Sequence, residues 1–343
     1  MSATPLQILW FILLGVLVTG YFVLDGFDLG IGVLYPFIGK TEVEKATLRT
    51  AIGPVWDGNE VWLLTGGGAL FAAFAPAYAT SFSGFYLAIM LVLFGLIARA
   101  AAIEFRALDP KWAKFWDVCF FVGSLLPALL FGVAVGNVVR GLPLDANGDY
   151  AGTFFGLLNP FSLLVGILGL AQFILQGSCF AALKAPKDSA LYARVAAVRA
   201  AIKWVVFALV LAVTAYAHVL IEPVLAGGLV GILRIVFAVV VFGALIIGHG
   251  FVNNKRDLAS FICSSLVSVG LVGLFATTIY PNLIPAAAGS TGPAITIASA
   301  GGSNLALTWM TIIACIGVPL VLFYHYLIYK SFNGRIQPEE LDY

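Results

Sequence analysis

Long apolar runs separated by short polar ones set the pattern of this chain. A helix needs about 20 apolar residues to cross roughly 30 Å of hydrocarbon. Nine stretches meet that requirement, at about 8–35, 53–75, 80–101, 116–138, 158–182, 202–221, 228–250, 259–281 and 305–330. The pattern predicts an all-α integral membrane protein with residues 1–343 as a single transmembrane domain. The first run is too long for one straight crossing, and its Gly26, Gly30 and Gly32 predict a bent or shallow end closed by Pro36. The charge-free segment 283–304 is expected to pack on the protein or on the membrane surface.

Basic residues orient the spans, because loops rich in Lys and Arg stay cytoplasmic. With loops taken alternately, one side collects 16 of the 18 basic residues. Only Arg140 and Arg234 fall on the other. This asymmetry predicts an outer N-terminus and a cytoplasmic C-terminus, and losing or adding one span would scramble it. Met1–Gln7 carries no Lys or Arg, so the first run is expected to be a retained helix, not a cleaved leader.

Composition sharpens the class. The chain is 61% hydrophobic and 10% charged, against about 25% charged in soluble domains. A net charge of +1, with no basic arm, argues against nucleic-acid binding. Cys119, Cys179, Cys263 and Cys315 are widely spaced, which suggests small apolar residues and no zinc or redox pair.

The acids are the unusual feature. Asp25 and Asp28 sit late in the first run, Asp57 and Glu60 early in the second, and Glu104 just past the third. All five are expected in the cytoplasmic half, whereas Glu222 belongs to the outer end of the sixth run. The i, i+3 spacing puts Asp57 and Glu60 on one helix face with Trp56 and Asn59 beside them. An ionised acid at mid-membrane costs about 2.5 to 3.5 kcal/mol on the insertion scale, so such groups face protein or water and commonly mark proton paths. Asp25, Asp57 and Glu104 are the relay candidates. Asp28 and Glu60 have a structural alternative, pairing with Arg99 or a neighbouring amide.

Trp56 fits packing against a helix or a cofactor as well as interface anchoring. Gly66, Gly67 and Gly68, with Ala69, Ala72 and Ala73, offer a face for close helix approach. His218, His249 and His325, with Met90 and Met310, are not placed as opposing axial ligands on adjacent spans. His249 reads as a hydrogen-bonding or proton-handling residue, and no metal site is expected.

Asp25-Gly26-Phe27-Asp28-Leu29-Gly30, Trp56-Asp57-Gly58-Asn59-Glu60-Val61-Trp62-Leu63, Ala69-Leu70-Phe71-Ala72-Ala73-Phe74 and Ser83-Gly84-Phe85-Tyr86 form an ordered set. With Gly136-Asn137, Leu158-Asn159-Pro160-Phe161 and Phe332-Asn333-Gly334-Arg335-Ile336, it resembles subunit II of the cytochrome bd quinol oxidases over essentially the whole chain. The resemblance implies nine helices, as two four-helix bundles and a peripheral helix, in a bacterial or archaeal cytoplasmic membrane. It implies a partner, subunit I, holding haem b, haem d and most of the quinol site. Subunit II would support haem assembly and supply part of a cytoplasmic proton path through Asp25, Asp57 and Glu104, where Glu104 replaces the family's Asp. Oxygen would be reduced to water and the proton motive force built without pumping. Which quinone is used, and whether a small single-span accessory subunit or a structural lipid joins, stay open.

Two other readings compete. A proton-coupled secondary transporter would also carry buried acids and broken helices, in repeated halves, but only His249-Gly250-Phe251 faintly echoes Asp25-Gly26-Phe27. An inert assembly scaffold would tolerate removal of the acids.

Overall fold

The computed structural model describes residues 3–108, 110–220 and 227–337. Glu222 lies outside them. The helices are α1 (Pro5–Ile38), α2 (Glu42–Ile52), α3 (Trp56–Ala73), α4 (Ala75–Gly84), α5 (Tyr86–Phe105), α6 (Ala113–Arg140), α7 (Pro160–Lys184), α8 (Ala190–Leu220), α9 (Gly228–Asn253) and α10 (Asp257–Ile279). A two-stranded ribbon, β1 (Asn282–Ile284) and β2 (Ile295–Thr296), then leads through the short α11 (Ile297–Ala300) to α12 (Asn304–Ser331).

Among the described residues, eight helices are long and apolar enough to cross a membrane: α1, α5, α6, α7, α8, α9, α10 and α12. The second expected span, α3, has 18 residues and is not among them. Its Asp57, Asn59, Glu60 and three glycines dilute its apolar character. The third expected span starts later than its apolar run, because Ala75–Gly84 forms a separate helix with Pro76 in its first turn.

The expected break in α1 does not occur. This helix runs unbroken for 34 residues, with Pro36 inside it and Gly39 as its C-cap. Its glycines are crossing points instead. A Cβ on Gly177 of α7 would lie 2.5 Å from the carbonyl carbon of Gly30, so the α1 and α7 backbones touch there. A Cβ on Gly123 of α6 would lie 2.5 Å from the carbonyl oxygen of Gly95 on α5, which draws that pair together in the same way. The opposite holds for the expected glycine face on α3. Gly67 and Gly68 meet nothing within 4 Å, whereas a Cβ on Gly66 would lie 3.9 Å from Leu17 of α1 and Ala73 is buried, so α1 covers one side of that face and leaves the other open.

Helix α7 lies at the centre, against α1, α6, α8 and α10, while α9 pairs with α10 and α5 with α6. Helix α12 buries only Leu307 and stands at the edge beside α1 and α3. Asn159 caps α7 by accepting from Ser162 N at 3.0 Å, and its Nδ2 donates to Asn137 Oδ1 at 2.9 Å. That pairing gives the two asparagine motifs one shared role in joining α6 to α7.

Polar clasps close the bundle at both ends. At the end where Lys and Arg gather, Asp117 of α6 accepts from Lys45 Nζ at 2.6 Å and Arg106 Nε at 3.1 Å, which ties α2 and the end of α5 to α6. Arg106 also donates to Glu42 at 2.5 Å, and that hydrogen bond holds the Glu42 carboxyl below the usual carboxylate range. Arg194 of α8 pairs with Glu44 of α2. Asp257 accepts from Arg199 at 2.9 Å, from Arg335 at 2.6 Å and from the Tyr192 hydroxyl at 3.1 Å. The closing motif thus ends in a clasp that joins the tail to α8 and α10. At the far end, the charge-free segment folds back on the protein: Leu142 N donates to Pro285 O at 2.9 Å and Gly302 N to Ala73 O at 2.8 Å.

The glycine crossing carries a stability prediction. Gly177→Ala must push α1 and α7 apart and is expected to cost about 1 to 3 kcal/mol, read as a lower Tm in detergent. Gly243→Ala, with nothing within 4 Å, should leave Tm unchanged or raise it. Arg335→Ala breaks one of three contacts to a buried carboxylate and should lower Tm as well.

Candidate functional site

Helix α1 turns Asp25 and Asp28 inward, and both are fully buried. Charge at that depth requires a partner. Arg99 of α5, equally buried, supplies it through a two-pronged contact: Nη2 to Asp25 Oδ1 at 2.5 Å and Nη1 to Asp25 Oδ2 at 3.0 Å. The same Nη2 lies 3.4 Å from Glu60 Oε1 of α3. Asp28 takes an amide instead, Asn59 Nδ2 donating to its Oδ2 at 2.7 Å.

These contacts are those of the structural alternative for Asp28 and Glu60, with Glu60 on Arg99 and Asp28 on Asn59. The principal partner of Arg99 is Asp25, a residue read from sequence as a free relay member. Helix α1 offers Asp25 to α5 and, one turn on, Asp28 to α3, so the two acids of one face find different neighbours.

A second layer comes from α12. The Tyr329 hydroxyl donates to Asn59 Oδ1 at 3.0 Å, so Asn59 links α12 to Asp28 through its two amide ends. Trp62 Nε1 donates to His325 Nε2 at 3.3 Å, and His325 Nδ1 faces Val321 O at 2.9 Å. Sequence reasoning did not connect Tyr329 or His325 to the acids. More than 260 positions separate them from α3, and no local signal could have found them.

Not all five acids gather. Asp57 is exposed, with Oδ1 accepting from Gly58 N at 2.6 Å in the first turn of α3. Glu104 is exposed near the end of α5. Neither is sunk into the interior of this chain as expected. Asp25, Asp28 and Glu60 form the cluster instead, with Arg99 as its cation. Trp56 is partly buried and packs on the core around Phe27, Leu48 and Ile52, the helix-packing alternative read from its position.

Four buried polar atoms in this region make no hydrogen bond among the described residues: Tyr21 Oη, Asp28 Oδ1, Glu60 Oε1 and Arg99 Nε. The cluster therefore has unused donors and acceptors around a buried ion pair, with Glu60 at its exposed edge. Among the described residues, no group of three His, Cys, Asp or Glu could hold a metal ion.

Comparison with known proteins places the chain. The family described as "Cytochrome bd terminal oxidase subunit II" matches residues 6–332. "Cytochrome bd-I ubiquinol oxidase subunit 2" of Escherichia coli (strain K12) is 32% identical over 367 residues, covering 98% of this chain and 97% of the relative. "Cytochrome bd ubiquinol oxidase subunit 2" of Bacillus subtilis (strain 168) is 35% identical over 334 residues, covering 97% of each. A chain of the bd oxidase from Geobacillus thermodenitrificans shares the fold, with a TM-score of 0.74 over 96% of this chain and 99% of its own, at 16% identity. This chain belongs to the cytochrome bd terminal oxidase subunit II family.

Proposed function

We propose that this chain is the haem-free subunit of a terminal quinol oxidase in a bacterial cytoplasmic membrane, and that its acids carry protons from the cytoplasm toward a haem-bearing subunit I. Membership of the family over nearly the whole chain supports the oxidase role. The observation that carries the proton reading is Arg99, one buried guanidinium held between Asp25 and Glu60 inside the bundle.

The remaining features of the proposal follow the family. The chain crosses nine times with α3 as the ninth helix, N-terminus outside and C-terminus cytoplasmic, in two four-helix bundles with α12 peripheral. Quinol binds mainly on subunit I, which also holds haem b and haem d. Oxidation of quinol releases protons outside, the protons that form water come from inside, and the separation of charge arises from that sidedness without pumping.

The surroundings of the histidines support the haem-free reading. Both ring nitrogens of His325 are engaged, by Trp62 and Val321; His249 Nε2 is engaged by Asn253 at 3.1 Å with its ring against Trp204, which leaves its buried Nδ1 as a single open nitrogen, and His218 is exposed. No step is assigned to a haem in this chain. Its own work is to hold and pass protons and to brace the partner.

Two predictions follow from the positions of the acids. Asp57→Asn, at an exposed site, should leave the haem spectrum of the purified complex intact and cut quinol-driven oxygen consumption. Glu104→Gln should act in the same direction, more mildly. Unchanged turnover in both rejects the relay. Arg99→Met leaves three acids around an uncompensated site and should cost about 3 to 5 kcal/mol, seen as loss of assembled, haem-containing complex from the membrane fraction.

A further inference from the structure

Asp57 is exposed and Asp25 is closed off, so a proton passing between them needs an intermediate. Glu60 occupies that position. It lies one helical turn from Asp57 on the same face of α3. Its side chain keeps 23% exposure while its Oε1 is buried and makes no hydrogen bond. Of the three clustered acids, it alone combines access to the surface with contact to the closed pair, since Asp25 and Asp28 have none.

The other polar line into the cluster does not serve as well. It runs from Tyr329 through Asn59 to Asp28. A side-chain amide donates through nitrogen and accepts through oxygen, so it holds its neighbours in place but cannot pass a proton without tautomerising. Asn59 therefore braces the site.

We infer that Glu60 is a proton-carrying residue, not a supporting one, and that it exchanges its proton with Asp25 while Arg99 moves the other way between the two carboxylates. Arg99 Nη2 is already shared, at 2.5 Å from Asp25 Oδ1 and 3.4 Å from Glu60 Oε1. In the exchange the O–H bond on Glu60 breaks and one on Asp25 forms. The guanidinium keeps its charge and shifts from Asp25, now neutral, to Glu60, now ionised. The net charge of the buried cluster stays constant, which removes the cost of creating a bare ion at low dielectric. Arg99 returns to Asp25 when Asp25 passes its proton to the next base on the way to subunit I, a water or a carboxylate, and Glu60 is reloaded by proton transfer from the side of Asp57, which is exposed and regains its proton from solvent. Arg99 is thus a positioning residue, and Glu60 carries the proton.

This inference rests on the proton-path reading, and the test separates the two. In the intact oxidase complex, Glu60→Gln keeps the size of the side chain and leaves the Arg99–Asp25 pair in place, so the haem spectrum should be retained. Quinol-driven oxygen uptake should fall by about a hundredfold or more, with a larger solvent isotope effect in D2O. Glu60→Asp, which keeps a carboxyl one methylene further from Arg99, should recover part of the rate. If Asp57→Asn slows turnover and Glu60→Gln runs at the wild-type rate and isotope effect, Glu60 is off the route while the path stands. If both variants match wild type, the path itself is wrong and the inference falls with it. Should Glu60→Gln lose its haem spectrum, Glu60→Asp decides: a slowed rate with an enlarged isotope effect supports the role, and a wild-type rate ends it.

Discussion

The pairing of Arg99 with Asp25 is the constraint around which this part of the molecule is arranged. Neither group is exposed, and each would be costly to bury alone. Together, in a two-pronged geometry, they satisfy most of each other's demand for hydrogen bonds. The pair does not close the account. Glu60 and Asp28 stand beside it without a guanidinium of their own, and buried oxygens on both remain without hydrogen bonds. A purely structural core would have paired or removed those acids.

Backbone packing makes that arrangement possible. Gly30 against Gly177 and Gly95 against Gly123 let α1 meet α7, and α5 meet α6, with no side chain between them. Close approach at these crossings puts backbone in dispersion contact with backbone. The clasps at Asp117 and Asp257 act at a distance from this region. They hold α2, α8, α10 and the tail at the basic end, where side chains meet solvent and ion pairs form without a large desolvation cost.

The exposed groups form a second population. Asp57, Glu104, Gly67 and Gly68 face outward from this chain, and α12 buries only Leu307. The family's members are subunits of an oxidase, so this chain works with a partner in the membrane. Glu60 touches both populations, which is why its role differs from that of its neighbours.

Sequence alone was enough for the membrane class, for most of the helices and for the clustering of basic residues at one end, since each of these depends on local hydropathy and charge. It was also enough to single out the acids, because a carboxylate in an apolar run is a local anomaly. The structure decided which acids are truly enclosed. Burial depends on the neighbour that a helix face meets, and α1 meets α5 at Asp25 but α3 at Asp28, while Asp57 in the first turn of α3 stays exposed and accepts from the adjacent Gly58 N. It also decided that the glycines of α1 are crossings and not bends, because helix geometry tolerates them wherever another backbone presses close. The ties from Tyr329 and His325 to α3 came from the far end of the chain, and only folding brings residues so distant in sequence within hydrogen-bond reach.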